Sequence, residues 1–181
     1  MPRIHPVELS QTDEQTFATL NAVRNKLKVL PNLFTTLVHT PVLLNSYLHF
    51  SETISQGRLT ARQRELIAIA IAQNNQCEYC LSAHATLGKG AGLAMTDIEL
   101  ARQGNAASNT DQAILRLALA IVSHRGGISD DHLAMARQAQ LDDGLVLEIV
   151  GHVALNILTN YVNRVAGTDV DFPLLKLDSA A

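Results

Sequence analysis

Leu66-Ile67-Ala68-Ile69-Ala70-Ile71-Ala72 is the stretch on which the fold turns. Its alternating isoleucines would suit a buried strand, and an apolar run this short cannot be assigned by periodicity alone. Its surroundings decide for a helix. Upstream, Thr60-x-x-Gln63 forms a capping box, in which the hydroxyl and the N3 side chain satisfy orphan amides at a helix start. Arg62 to Glu65 supply a polar first turn, and the interleaved alanines favour helix and let neighbouring elements approach closely. A helix over 60–74 that is apolar on every side belongs at the centre of a helical domain.

Working outward, Thr12-x-x-Gln15 and Thr96-x-x-Glu99 repeat the capping-box pattern. The patterning predicts helices over 13–29, 41–56, 78–89, 96–103, 110–125, 130–139 and 143–166, with one extra turn between Pro31 and Pro41. Gly57, Gly88, Gly104 and the Gly126-Gly127 pair supply the stops. The tail from Asp169 to Ala181, which contains Phe172-Pro173, is expected to dock as an extended segment with a loose tip. With no repeat, low-complexity tract or linker, the expectation is an all-α fold of about seven to eight helices in a single domain, residues 1–181.

A chain of 181 residues suits one core. Apolar residues at 47% against 17% charged exclude a disordered chain, and so little charge points to self-association. A net charge of −3 gives nucleic acid or an anionic membrane surface nothing to attract. The start, MPRIHPVELS, has no apolar h-region, and the sequence shows no run of about 18 apolar residues, so the protein is expected to be cytoplasmic, with no membrane partner.

The chemistry is concentrated in Cys77-Glu78-Tyr79-Cys80-Leu81-Ser82-Ala83-His84, which follows the polar break Gln73-Asn74-Asn75-Gln76. The break places Cys77 near a helix N-terminus, where free amides and the dipole stabilise a thiolate. At i and i+3 the two Cα atoms fall about 5 Å apart, within disulfide range. His84 lies one turn beyond Cys80 on the same face, and its ring leans back toward that sulfur. A zinc site built on Cys77, Cys80 and His84 is a rival, although no second Cys/His pair has ligand spacing. Inert cysteines are another. A thioredoxin-like motif would need a βαβ context that this chain does not offer.

Glu65 can be a solvated first-turn acid or a partner of the thiol site. His152, Asn156, Asn160 and Asn163 fall at i, i+4, i+8 and i+11 on the last helix. Such a stripe serves core hydrogen bonding, a helix–helix interface or support for the thiols. His39, His49, His124 and His132 lack partners at ligand spacing, and Arg58, Arg62 and Arg64 read as a solvated face.

Arg64-Glu65, the Cys77-x-x-Cys80-x-x-x-His84 motif twelve residues on from Glu65, and the Gly88 to Gly92 exit resemble the core of the alkylhydroperoxidase AhpD / carboxymuconolactone decarboxylase family. Leu59 to Glu65, Asn160-Tyr-Val-Asn163 and Asp171-Phe-Pro173 resemble its peroxidase-related branch, so the likeness covers most of 30–173 around a redox core at 58–92. The resemblance implies a helical homotrimer or homohexamer that reduces hydroperoxides with a redox-active cysteine pair, and no cofactor or metal is expected because the two thiols, His84 and Glu65 suffice for that chemistry. It assigns attack on the peroxide to Cys80, resolution to Cys77, and a proton relay to His84 and Glu65. A dithiol reductant, or a thioredoxin-like or lipoyl donor protein, would restore the pair. Tyr79, His152 and Asn156 would support the site. One residue departs from the family pattern: Tyr79 stands where relay-defining members carry His, and a phenol with a pKa near ~10 is a poor acid–base group at neutral pH. Two other classes stay open, a lactone decarboxylase-like lyase using Glu65 and His84, and a non-enzymatic redox sensor.

Overall fold

The computed structural model describes residues 1–178; the expected loose tip at 179–181 lies outside the described residues. Among them are nine α-helices and no strand: α1 Glu14–Leu27, α2 Asn32–Leu37, α3 Pro41–Ile54, α4 Ala61–Asn74, α5 Glu78–Gly90, α6 Met95–Arg102, α7 Asn109–Ser123, α8 Asp130–Gln138 and α9 Asp143–Ala166. The all-helical expectation holds, and the extra turn after Pro31 is α2.

Residues 66–72 are helical and buried at every position, so α4 is the central element. It packs against α5, α6, α7 and α9, and all nine helices contribute to one apolar core. The Thr60 capping box forms as expected, with the Gln63 amide nitrogen donating to the Thr60 hydroxyl and the Gln63 side chain accepting from the Thr60 N–H. The other two boxes do not. Asp13, a stronger acceptor than Thr12, caps α1 through the Thr16 N–H at 2.8 Å, while the Thr12 hydroxyl donates to the Leu9 carbonyl. At α6 the Asp97 carboxylate accepts from the Ala94 N–H, and Glu99 instead pairs forward with Arg102.

Glu148 reaches from α9 to accept from the N–H groups of Arg58 and Leu59, which fixes the chain just before α4. α9 is long and apolar enough by length and composition to cross a membrane, yet 44% of its apolar window is buried against the other helices.

The tail docks as predicted. Asp171 accepts from the Asn32 N–H at 2.6 Å, and the Ser82 hydroxyl of α5 accepts from the Leu175 N–H at 3.0 Å. The buried Arg102 side chain donates to the Lys176 carbonyl and pairs with Asp178. Phe172 meets the Tyr79 ring edge-on at 5.8 Å between centroids. The Tyr79 hydroxyl in turn accepts from the buried Leu33 N–H at the start of α2. Tyr79→Phe keeps the ring contact but leaves that N–H unpartnered, and is expected to cost about 1–3 kcal/mol of stability in urea denaturation.

Candidate functional site

The site is built on the three-residue turn Asn75 to Cys77. α4 ends in a Schellman arrangement: Gln76 adopts a left-handed conformation at φ 54°, and the Cys77 N–H donates back to the Ala72 carbonyl at 2.9 Å. Cys77 is at once the residue that closes α4 and the N-cap of α5, where its sulfur accepts from the Cys80 N–H at 3.3 Å. Cys77 and Cys80 are joined in a disulfide, with their Cα atoms 5.3 Å apart.

Because α4 and α5 fold back on each other, the start of α4 meets the later turns of α5. Here His84 Nδ1–H donates to Glu65 Oε2 at 2.9 Å, leaving Nε2 free to exchange a proton. Both side chains are about one-fifth exposed, so solvent or a ligand reaches the pair. Gly88, one turn beyond His84, leaves room for the Leu93 side chain. A Cβ there would lie 2.8 Å from the Leu93 side chain and 3.6 Å from the Glu65 Cβ.

α9 crosses this junction with its polar stripe. The Asn75 side chain donates to Asn160 Oδ1 at 3.0 Å, and Asn163 Nδ2 donates to Cys80 Sγ at 3.3 Å. An amide donor aimed at a sulfur favours its thiolate once the pair is reduced. Further up α9, Asn156 donates to the carbonyl of its own turn at His152, and His152 Nε2 has no hydrogen-bond partner. Burial holds the His152 imidazole below its ordinary value, so it is neutral at physiological pH; Arg64 acts in the same direction, and Glu148, Glu65 and the Ile54 carbonyl oppose it.

These elements surround a cavity of about 750 Å³. Glu65 and Arg64 line it from α4, Tyr79 and His84 from α5, His152 and Asn156 from α9, and the rest of its wall is mainly apolar. The two sulfurs are not part of that wall.

The structure thus brings Glu65 to His84, Cys77 to Cys80, and His152 with Asn156 to the same cavity. No hydrogen bond joins His84 to either sulfur among the described residues. Both sulfurs are buried, with Cys77 1% and Cys80 2% exposed. Tyr79 does not stand in for a relay histidine, since its hydroxyl is engaged at Leu33, and burial, with Asp171 nearby, pushes its pKa far above the ordinary phenol value. Arg64 is not on a solvated face. It lines the cavity, with its guanidinium donating to the Leu59 carbonyl at 2.6 Å. Asn163 was visible in the sequence as a member of the stripe, but its contact with Cys80, 83 positions away, was not. No group of three or more His, Cys, Asp or Glu side chains is gathered for a metal ion among the described residues.

With this geometry in place, known proteins can be compared. Residues 41–123 match the carboxymuconolactone decarboxylase family. An uncharacterized protein of Haemophilus influenzae is 44% identical over 46 residues, which is 25% of this chain and 41% of that relative, so the match spans less than half the relative's length. The crystal structure of an alkylhydroperoxidase AhpD core, an uncharacterized peroxidase-related protein from Ralstonia eutropha JMP134, is similar over 94% of this chain and 92% of that one, with a TM-score of 0.86 and 22% identity. The debrominase Bmp8, as a cysteine-to-alanine variant in complex with 2,3,4-tribromopyrrole, is similar over 93% of this chain and 91% of its own, with a TM-score of 0.79 and 16% identity. At these identities the likeness is one of fold. The family match begins at the first residue of α3 and ends at the last of α7, a span that holds Glu65, both cysteines and His84. Residues 41–123, a little under half of the chain, are therefore similar to the carboxymuconolactone decarboxylase family, and the fold over most of the chain is similar to that of the AhpD core.

Proposed function

We propose that the protein is a thiol-dependent hydroperoxide reductase. The observation that carries this is the meeting, where α4 and α5 pack together, of a disulfide-bonded Cys77–Cys80 pair with a His84–Glu65 hydrogen bond that borders an apolar cavity. In the reduced protein a hydroperoxide enters from the cavity. The Cys80 thiolate attacks its terminal oxygen, the O–O bond breaks, and the alkoxide leaves as an alcohol after taking a proton through His84. Cys80 is then a sulfenic acid. The Cys77 thiolate attacks its sulfur, water leaves, and the disulfide remains. Asn163 holds the Cys80 sulfur in place and favours its thiolate, and Glu65 orients His84 for the transfer. A dithiol reductant, or a thioredoxin-like or lipoyl donor protein, supplies two electrons and two protons to reopen the pair.

A lyase in which Glu65 and His84 act as acid and base has the family match in its favour. Turnover of a lactone by protein with both cysteines changed to serine selects it, and loss of peroxide turnover in that protein selects the reductase.

The working form is a cytoplasmic homotrimer or homohexamer. Supporting this, Leu147, Val150, Tyr161 and Val165 form an exposed apolar row on α9 of a chain with little charge. Light scattering at micromolar concentration is expected to give the mass of three or six chains.

Glu65→Gln and His84→Ala are each expected to slow peroxide turnover by roughly 10²-fold or more while keeping the helical circular dichroism of the parent. The two cysteines should separate cleanly. Cys80→Ser abolishes the first oxidation, whereas Cys77→Ser reacts once and stalls as a sulfenic acid at Cys80, detected by mass spectrometry after trapping with a dimedone reagent. Label appearing only on Cys77 in the Cys80→Ser protein would reverse the roles.

A further inference from the structure

Where α9 meets the cysteine turn, two buried side chains each have one atom engaged and one left over. Asn160 is 0% exposed; its Oδ1 accepts from the Asn75 side chain, two residues before Cys77, and its Nδ2 has no hydrogen-bond partner. Asn163 is 3% exposed; its Nδ2 donates to Cys80 Sγ, and its Oδ1 has no partner. At i and i+3 the two residues share a face of α9. Turning either amide over would give up the bond it already makes, so the disulfide form leaves one donor and one acceptor buried and unanswered. Atoms left this way cost free energy. We propose that Asn160 and Asn163 are positioning residues for the reduced cysteine pair, whose thiolate accepts from Asn160 Nδ2 and whose remaining S–H donates to Asn163 Oδ1.

Opening the disulfide supplies what those two atoms lack. A dithiol donor attacks the S–S bond and leaves as its own disulfide. One sulfur of the pair is left as a thiolate, the other takes one of the donor's two protons, and the second proton goes to solvent. A disulfide has no S–H and its sulfurs are weak acceptors, whereas the reduced pair holding one proton offers a strong acceptor and a donor. That set is the complement of a free amide N–H and a free amide carbonyl. No path from the cavity is needed, because the stripe already touches the pair through Asn163. Hydrogen bonds made in one redox form and missing from the other move the couple toward the form that has them. The two amides therefore favour reduction of the pair by its dithiol donor, a role for Asn163 beyond holding Cys80 and a first one for Asn160.

This rests on the pair being redox-active, as the proposed function has it, but not on peroxide being the oxidant. The test contains no peroxide, so its failure and a failure of peroxide reduction are separate results. The full chain is equilibrated with mixtures of reduced and oxidised dithiothreitol, and the disulfide fraction is read by mass spectrometry after alkylation. Asn160→Leu and Asn163→Leu, near-isosteres without the amide, are each expected to move the equilibrium constant about tenfold toward the disulfide, or about 30 mV for this two-electron couple. Asn75→Ala removes the bond to Asn160 Oδ1 but keeps Nδ2, and should leave the constant near the wild-type value. In wild-type protein, reduction should move the Asn160 side-chain N–H signals downfield in nitrogen-15 NMR. An unchanged constant in a folded Asn160→Leu protein, the result expected if a buried water answers both atoms in either form, would overturn the proposal. So would a shift in Asn75→Ala as large as that in Asn160→Leu, which would trace the effect to the turn, or wild-type N–H signals that do not respond to reduction.

Discussion

The turn at Asn75 and Gln76 is the constraint on which the rest of the site depends. Three residues, Asn75 to Cys77, are the whole connection between α4 and α5, and the Cys77 N–H that closes the first helix belongs to the residue whose sulfur caps the second. Lengthening this turn would move Cys77 off the α5 N-terminus and out of register with Cys80. The turn requires a left-handed residue, and Gln76 fills that position without the freedom of glycine. The Gln76 side chain offsets part of that strain by donating to the Gln73 carbonyl at 2.9 Å. Local backbone geometry and redox chemistry are therefore set by the same few atoms.

From that turn the packing follows. Small residues at Ala68, Ala70 and Ala72 let neighbouring helices lie close to α4, and Gly88 leaves room on α5 for the Leu93 side chain. The 2.9 Å contact between Glu65 and His84 is thus a consequence of helix–helix distance as much as of charge. The tail adds a second clamp, because Phe172 packs on Tyr79 and Leu175 bonds Ser82, both on the helix that carries the cysteines.

Much of this was legible in the sequence, for identifiable reasons. The Thr60 box, the all-apolar α4 and the Cys77-x-x-Cys80 spacing are local, and local patterns survive folding. The Thr12 and Thr96 boxes were misread because each had a nearby competitor: Asp13 offered a better cap, and Arg102 drew Glu99 away. What Tyr79 does in place of proton relay has a longer-range cause. Its hydroxyl is committed to Leu33, and its ring to Phe172 at the far end of the chain. The Asn163–Cys80 contact and the fit of Arg64 into the cavity likewise depend on how distant elements cross, which no spacing rule encodes.

α9 brings these strands together, because its buried side carries polar residues among apolar ones. His152, Asn156, Asn160 and Asn163 are buried beside Val146, Ile149, Val153 and Leu155, while Leu147, Val150, Tyr161 and Val165 are exposed. Its polar side is held inward by particular partners: Asn160 at the α4–α5 turn and Asn163 at Cys80. Toward the start of α9 the stripe continues to the cavity wall with Asn156 and His152. The outward apolar side is the complement of that arrangement. A helix that spends its polar residues on the site has apolar ones left for its other face, and covering those in an oligomer would remove their cost. The scarcity of charge on the chain, the buried polar stripe and the open cavity wall are then three results of placing one helix across the thiol pair.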